Sequence, residues 1–435
     1  MKTARKIFAL MAVLIMTAGG TAASVRAAAY TAVKGTTMNF NKYLVIDKEA
    51  TVPAVEFTFG VTAGKEVEAD EDTLEVKAGP SPELVVVGTK VENQPGINGK
   101  TAFTLEQITT DGTATDGIAN STDRKYATNS VTVDFSKVEF TEPGVYRYII
   151  TETEQDADSP FKNDDAAART VDVYVENDET SETPKLKIGG YVMYKGVVTA
   201  APKKAATDDT AAAPAANGAE PDRAEKSSSF INTFTTYNLT FGKKVTGNQG
   251  SKDKYFEFTL SLTGAEPGVY AVDITKATDK PQATAATTVT VADNPDEITV
   301  GNDGTATQKF YLQHGQSITV KKLAKGTKYT VQEKKEEYTA AAKVNDVVSK
   351  ATLGDGTTAS DLATFTEDAA TKTATVTSKD GGIDVDTTVE FTNNKVGVIP
   401  TGILLSATPW IIAGVIVIAG IIFFAVRSRK KYDEE

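Results

Sequence analysis

The chain has 435 residues, a formal net charge of −12, no cysteine and one histidine. These figures exclude disulfides, thiolate metal sites and any site needing two imidazoles, and they argue against the basic face that nucleic-acid binding requires. What remains is an acidic chain with a well-solvated surface, long enough for two or three domains, in which nothing points to a metal or a cofactor.

The elements follow in chain order. Lys2, Arg5 and Lys6 precede an apolar stretch from Ile7 to Met16, and Ala27-Ala28-Ala29 offers a small-residue cleavage site. This predicts a secretory signal peptide over residues 1–29, too short to span a membrane and outside the fold. Beyond it, short alternating segments rich in Val, Thr, Tyr and Phe recur between Gly, Asp, Asn and Pro clusters. Val55-Glu56-Phe57-Thr58-Phe59 and Thr288-Val289-Thr290-Val291 are examples. Few stretches hold a helical period. The pattern predicts an all-β chain of immunoglobulin-like sandwiches. Residues 197–229 interrupt it with Ala, Pro, Asp, Lys and Ser, which reads as a flexible or weakly ordered insertion near a domain junction. The expected domains are 30–232, carrying that insertion, and 233–395. His314, between Gln313 and Gly315-Gln316, reads as part of a solvated turn.

Alternate residues of a strand share a face. Lys42 then lies on the face of Met38, Phe40, Leu44 and Ile46, with Asn39, Asn41 and Asp47 on the other. Glu152 follows Tyr146, Tyr148 and Ile150, with Arg147 and Thr151 outside, and Asn232 sits between Phe230 and Phe234. The second half repeats the order. Lys243 shares a face with Leu239, Phe241 and Val245, Glu333 follows Tyr329 and Val331, and Asn393 follows Val389 and Phe391. Lys and Glu are rarely fully buried unless paired, and unpaired they neutralise. A desolvated neutral Lys is a nucleophile, and a protonated Glu can polarise an Asn carboxamide and shuttle protons as ammonia leaves. Two triples in the same order therefore point to a self-formed Lys–Asn amide in each domain. A buried Lys–Glu ion pair with a hydrogen-bonded Asn is the plainer alternative.

At the C-terminus, an apolar run from Ile403 to Val426 is long enough to cross a hydrocarbon core of about 30 Å as a helix. Arg427, Arg429, Lys430 and Lys431 would hold its far end in the cytoplasm. Just before it, Val398-Ile399-Pro400-Thr401-Gly402 resembles the sorting signal that sortases cut in Gram-positive surface proteins, with Val398 and Ile399 departing from the usual Leu-Pro. The resemblance implies cleavage between Thr401 and Gly402, so residues 396–435 are expected to be sorting signal, transmembrane helix and basic tail.

Leu239-Thr240-Phe241-Gly242-Lys243-Lys244-Val245-Thr246-Gly247, Gly144-Val145-Tyr146-Arg147-Tyr148 with Glu152, and Phe391-Thr392-Asn393 resemble the sortase-assembled backbone pilins of group A streptococci. That resemblance implies tandem CnaB-type immunoglobulin-like domains, each locked by one isopeptide bond. Lys42–Asn232 would join with Glu152 as catalyst, and Lys243–Asn393 with Glu333. It also implies a surface Lys that attacks Thr401 of the next subunit, a few residues before the bonded Asn. Lys226 is six before Asn232; Lys203 and Lys204 follow as candidates, and Lys195 after them. The implied partners are identical subunits, a sortase, peptidoglycan, and accessory pilins and a host surface. The implied location is the Gram-positive cell wall. On this reading the protein is structural and not a turnover enzyme. A wall-anchored adhesin or accessory pilin is the alternative. A wall-anchored enzyme is disfavoured by the single His and the lack of Gly-x-Ser-x-Gly or a phosphate-cradling loop, although an acidic-pair glycosidase stays open on composition.

Overall fold

A computed structural model describes residues 30–89, 99–111, 123–181, 183–203, 225–275, 294–345, 347–349 and 363–397. The 1–29 leader, Val398 to Gly402 and the apolar run from Ile403 lie outside the described residues. Among those described, no helix is long and apolar enough to cross a membrane. Regular structure there is strand apart from one 3-10 turn, Pro82–Leu84.

The strands form two face-to-face sandwiches joined end to end. One sheet of the first runs Phe161–Lys162, Ser229–Phe234, Thr37–Asp47, Arg124–Asp134 and Val86–Gly88, with Thr109–Asp111 also paired to Arg124–Asp134. The facing sheet runs Leu186–Lys195, Ala168–Asn177, Gly144–Glu152, Val55–Ala63 and Lys100–Phe103, with Val76–Ala78 beside Gly144–Glu152. In the second sandwich one sheet runs Glu297–Val300, Gly268–Thr275, Ser317–Ala324, Thr236–Thr246, Thr387–Asn394, Thr339–Val344 and Val347–Ser349. Its partner runs Ala306–Leu312, Phe256–Thr263, Lys328–Lys334, Thr373–Ser378 and Ala363–Asp368.

Alternation explains the layering. Phe40, Leu44 and Ile46 point into the first core with Phe57, Phe103, Tyr148 and Val173; Leu239, Phe241, Phe258, Val331 and Phe391 fill the second. In each sandwich the first long strand lies beside the last and parallel to it: Thr37–Asp47 against Ser229–Phe234, and Thr236–Thr246 against Thr387–Asn394.

The chain passes between sandwiches at Thr235, whose N–H donates to Pro160 O at 2.7 Å and whose carbonyl accepts from Lys325 N–H at 3.0 Å. Thr236 Oγ1 donates to Asp47 Oδ2 at 2.5 Å, and Lys325 Nζ donates to the Ala157 carbonyl at 2.9 Å. A run of only one residue, bonded on both sides, makes a short joint.

One expectation about surfaces needs correction. Arg147 does point away from the core but is not solvent-facing: it is 1% exposed, paired with Asp172 (0%) through 2.7 and 2.8 Å bonds. Its Nη1 also donates to the carbonyls of Val198 and Ala200, each at 3.0 Å. Within the 197–229 segment, Val198 and Ala200 thus help to cover Arg147 and Lys226 bridges to Tyr194, while residues 204–224 lie outside the described residues. A charged side chain on an outer face drew its own cover, because a guanidinium needs more acceptors than one carboxylate supplies.

Candidate functional site

The strands place the predicted triples at the centres of the two cores. Lys42 and Asn232 are 0% exposed and Glu152 3%; Lys243 is 2% exposed, and Glu333 and Asn393 are 0%. In the first, Lys42 Nζ donates to Glu152 Oε2 at 2.5 Å and to Asn232 Oδ1. In the second, Lys243 Nζ lies 2.5 Å from Glu333 Oε1, and Asn393 Nδ2 donates to that same oxygen at 2.8 Å. The Lys243 contact is an ion pair without hydrogen-bond alignment, since Nζ finds no hydrogen-bond partner.

The two sites share one construction. Phe230 is the register partner of Lys42 and Asn232 comes two residues on; Phe391 is the register partner of Lys243 and Asn393 comes two residues on. The carboxyl arrives from the facing sheet, where Glu152 pairs with Phe59 and Glu333 with Phe258. The walls are phenylalanines. Phe40, Phe59 and Phe230 pack mutually with centroids 5.2 to 5.4 Å apart, and Phe258 packs on Phe241 at 5.8 Å and on Phe391 at 5.4 Å. A fourth ring lies under each amine: Phe57 4.2 Å from Lys42 Nζ, and Phe256 4.5 Å from Lys243 Nζ. The sequence reading missed these last two as site residues. The signal was present in the paired Phe57-Thr58-Phe59 and Phe256-Glu257-Phe258, one turn signal after each lysine strand.

Burial sets the electrostatics. Desolvation pushes both lysine amines down to about 8, against the opposing pull of Glu152 on Lys42 and of Glu333 on Lys243. It pushes both carboxyls up, with each lysine holding its partner back. The charged and neutral forms of each pair are thereby drawn together in energy, as transfer of one proton requires. Hydrogen-bond accounting points the same way. Among the described residues, six buried side-chain polar atoms lack a partner, and four belong to the triples: Asn232 Nδ2, Lys243 Nζ, Glu333 Oε2 and Asn393 Oδ1. Natural cores rarely leave such atoms unpaired, and one of the four lies in the first triple and three in the second. The arrangement can bring a neutral amine to a carboxamide carbon in a dry pocket with an acid at hand.

The other candidates are less concentrated. Lys195, Lys203 and Lys226 are exposed. Lys195 N–H donates to Glu225 O at 2.8 Å and Lys226 makes an isolated bridge to Tyr194, which places Lys195 and Lys226 together at the end of the Leu186–Lys195 strand, whereas Lys203 bridges to Thr73. Lys204 and Val398, Ile399, Pro400, Thr401 and Gly402 lie outside the described residues. His314 does lie in a turn, where its Nδ1 accepts the Val245 N–H at 2.9 Å, a structural bond rather than a catalytic placement. Among the described residues no cluster of three His, Asp or Glu could hold a metal.

The fold and the site together define a class of architecture: an all-β tandem sandwich with the same inward Lys–Glu–Asn triple in each module. Residues 38–235 match the family model described as "Spy0128-like isopeptide containing domain", and residues 237–395 match "Domain of unknown function (DUF7601)". The chain is homologous to the pilin of Streptococcus pyogenes serotype M1, 25% identical over 408 residues that span 92% of this chain and 93% of that protein. Its fold is that of the major pilin of Streptococcus pyogenes, with a TM-score of 0.50 at 23% identity over 84% of this chain and 100% of the other.

Proposed function

We propose that the chain is a structural backbone subunit of a covalently polymerised cell-surface pilus, with each sandwich closed by a self-formed Lys–Asn isopeptide bond. The observation that carries this is the repeated register: in both sandwiches the Asn stands two residues beyond the lysine's partner on the adjacent parallel strand, with a buried carboxyl opposite. The homology to a pilin supports the same reading.

The chemistry balances without a cofactor. The neutral amine attacks the Asn carboxamide carbon while the protonated Glu hydrogen-bonds to its oxygen. The carbon–nitrogen bond of the carboxamide then breaks, the nitrogen departs as ammonia, and the Glu passes the amine's proton to it and is regenerated. Rigid strands hold the reactants at attack distance, which replaces the entropy of a bimolecular encounter. The phenylalanine walls exclude water.

The bond joins the first and last long strands of each sandwich. Tension that enters one and leaves by the other would pass through it, bypassing ladder hydrogen bonds worth only about 1 kcal/mol each net. Cross-linking by this route also accounts for a stable exported chain without Cys. Polymerisation would join Thr401, cut by a sortase, to a lysine of the next subunit, with the last subunit passed to peptidoglycan; Lys226 is the first choice of acceptor, before Lys203, Lys204 and Lys195.

Intact mass of residues 30–401 tests the internal chemistry. The expected deficit is two ammonia molecules; Glu333→Ala should restore one and leave the Lys42–Asn232 cross-link in place. A full unmodified mass for the parent chain would overturn the mechanism. Polymer ladders in wall extracts test the assembly, and Lys226→Ala should abolish them if Lys226 is the acceptor.

A further inference from the structure

In the second sandwich the Asn393 strand is held on both sides. Thr387–Asn394 pairs with Thr236–Thr246 on one side and with Thr339–Val344 on the other, where Ala340 stands opposite Asn393. The Asn232 strand is held differently. Beyond the Lys42 strand it pairs, among the described residues, only through Phe161 and Lys162 against Phe234 and Thr233. Along Ser229 to Ile231, next to the reacting centre, side chains take the place of the missing strand.

Asp164 Oδ2 accepts the Ile231 N–H at 2.6 Å. Arg169 Nε donates to the Ser229 carbonyl at 2.9 Å and to Ser227 Oγ at 3.1 Å. The two are joined by Arg169 Nη2 to Asp164 Oδ2 at 2.8 Å, with their side chains 2% and 5% exposed. Arg169 Nη1 donates to the carbonyls of Ala166 and Ala168 at 2.6 and 3.0 Å. The guanidinium lies 4.3 Å from the Phe230 ring centroid, the residue opposite Lys42. The same loop reaches the acid from the other sheet, since Glu152 N–H donates to Ala167 O at 2.8 Å. The loop carrying Asp164 to Ala167 and the start of the Ala168–Asn177 strand that follows it thus fix the backbone on either side of the reactants.

We propose that Asp164 and Arg169 are positioning residues for the Lys42–Asn232 condensation, holding the edge strand in the register that sets the Asn232 carboxamide between Lys42 and Glu152. The proposal rests on the isopeptide reading above. Their hydrogen bonds go to main chain, to Ser227 and to each other, so they contact the site only through the strand; their charges reach it in opposite senses, Asp164 favouring and Arg169 disfavouring the charged Lys42. An edge strand on one ladder can fray or slip, and a slip of one residue turns Asn232 to the opposite face. A misplacement of about 1 Å can slow an intramolecular reaction about a hundredfold. The second sandwich supplies the same constraint by a full ladder, so the two bonds should differ in their dependence on side chains.

The test uses the full chain made by cell-free synthesis, quenched in denaturant at intervals and digested. Mass spectrometry then quantifies the Lys42–Asn232 and Lys243–Asn393 cross-linked peptides, the second serving as internal reference. Asp164→Ala and Arg169→Lys should each slow the first bond about tenfold or more relative to the second. Asp164→Asn keeps an oxygen for the Ile231 N–H and should recover most of the rate, which a general loss of stability would not predict. If limited proteolysis shows the first sandwich of Asp164→Ala to be unfolded, Arg169→Lys and Asp164→Asn decide the matter. Parental rates in Asp164→Ala and Arg169→Lys, or equal slowing in Asp164→Asn and Asp164→Ala, would overturn the proposal. Absence of the cross-linked peptides from the parent chain would instead refute the isopeptide reading.

Discussion

Asn232→Ala removes the acceptor of the first bond while leaving the Lys42–Glu152 pair in place, so it isolates the value of the cross-link. Lys42 and Asn232 are 190 residues apart. Closing a loop of that length removes unfolded-state entropy worth about 5 kcal/mol at 25 °C in the chain-entropy model. The lost carboxamide contacts add about 1 kcal/mol. For a sandwich of this size each kcal/mol moves the midpoint by about 2–4 °C, so the first thermal transition should fall by roughly 10–25 °C. Differential scanning calorimetry on parent and variant, with intact mass confirming one ammonia fewer lost, reads the effect directly. The transition of the second sandwich should stay where it was, apart from the small coupling across Thr235. If the bond is absent by mass and the midpoint moves by less than about 3 °C, loop closure is not what the bond contributes. If the variant still loses two ammonia molecules, Asn232 is not the acceptor.

The pH dependence of bond formation follows from the shifts in the two pairs. The reactive form, neutral amine with protonated carboxyl, holds one proton per pair, the same number as the ion pair, so its population is flat between the two titrations. The rate should fall as pH rises through about 8, where the lysine proton is lost and no acid remains, and fall again in acid below the raised carboxyl titration, where the amine is fully charged. Dilution of urea-unfolded, newly synthesised chain into buffers spanning about pH 5 to 10 measures this; a rate climbing steadily with pH would refute the shared-proton scheme. Arg147→Met should cost about 3–5 kcal/mol by leaving Asp172 buried and uncompensated, and should open residues 197–203 to proteases. Combined Arg147→Met and Asp172→Leu should recover much of that stability in urea titrations, because the desolvation penalty disappears with the second charge.

Much of the site was readable from one dimension. Lys42, Glu152 and Asn232, and Lys243, Glu333 and Asn393, stood out because a period of two assigns each to an otherwise apolar face, and polar residues there are conspicuous. Arg147 misled by the same rule: parity tells which side of a sheet a residue is on, not whether something covers that side. Asp164 acts from a loop and had no periodic signature; Arg169 shares the inward face of Val171, Val173 and Val175, but its target lies on a strand more than fifty residues further along the chain, which parity does not reveal. Repetition could also mislead. Glu142-Pro143-Gly144-Val145-Tyr146 and Glu266-Pro267-Gly268-Val269-Tyr270 are identical, and each tyrosine hydroxyl donates to the glutamate carbonyl four residues back, at 2.9 and 2.7 Å. Yet the first opens the Glu152 strand, while the second opens a strand in the Lys243 sheet, apart from Glu333.

Local chemistry alone settled which side chains turn inward: the pleat alternates, and apolar faces seek cover wherever they meet. It also settled that the chain must gain its cohesion without sulfur. Folding in three dimensions chose the neighbours, laying the first long strand of each sandwich against the last, slipping a ring beneath each amine, and bracing one edge with an arginine and an aspartate. Those choices depend on contacts between residues far apart in the chain, whose geometry no short window of sequence contains.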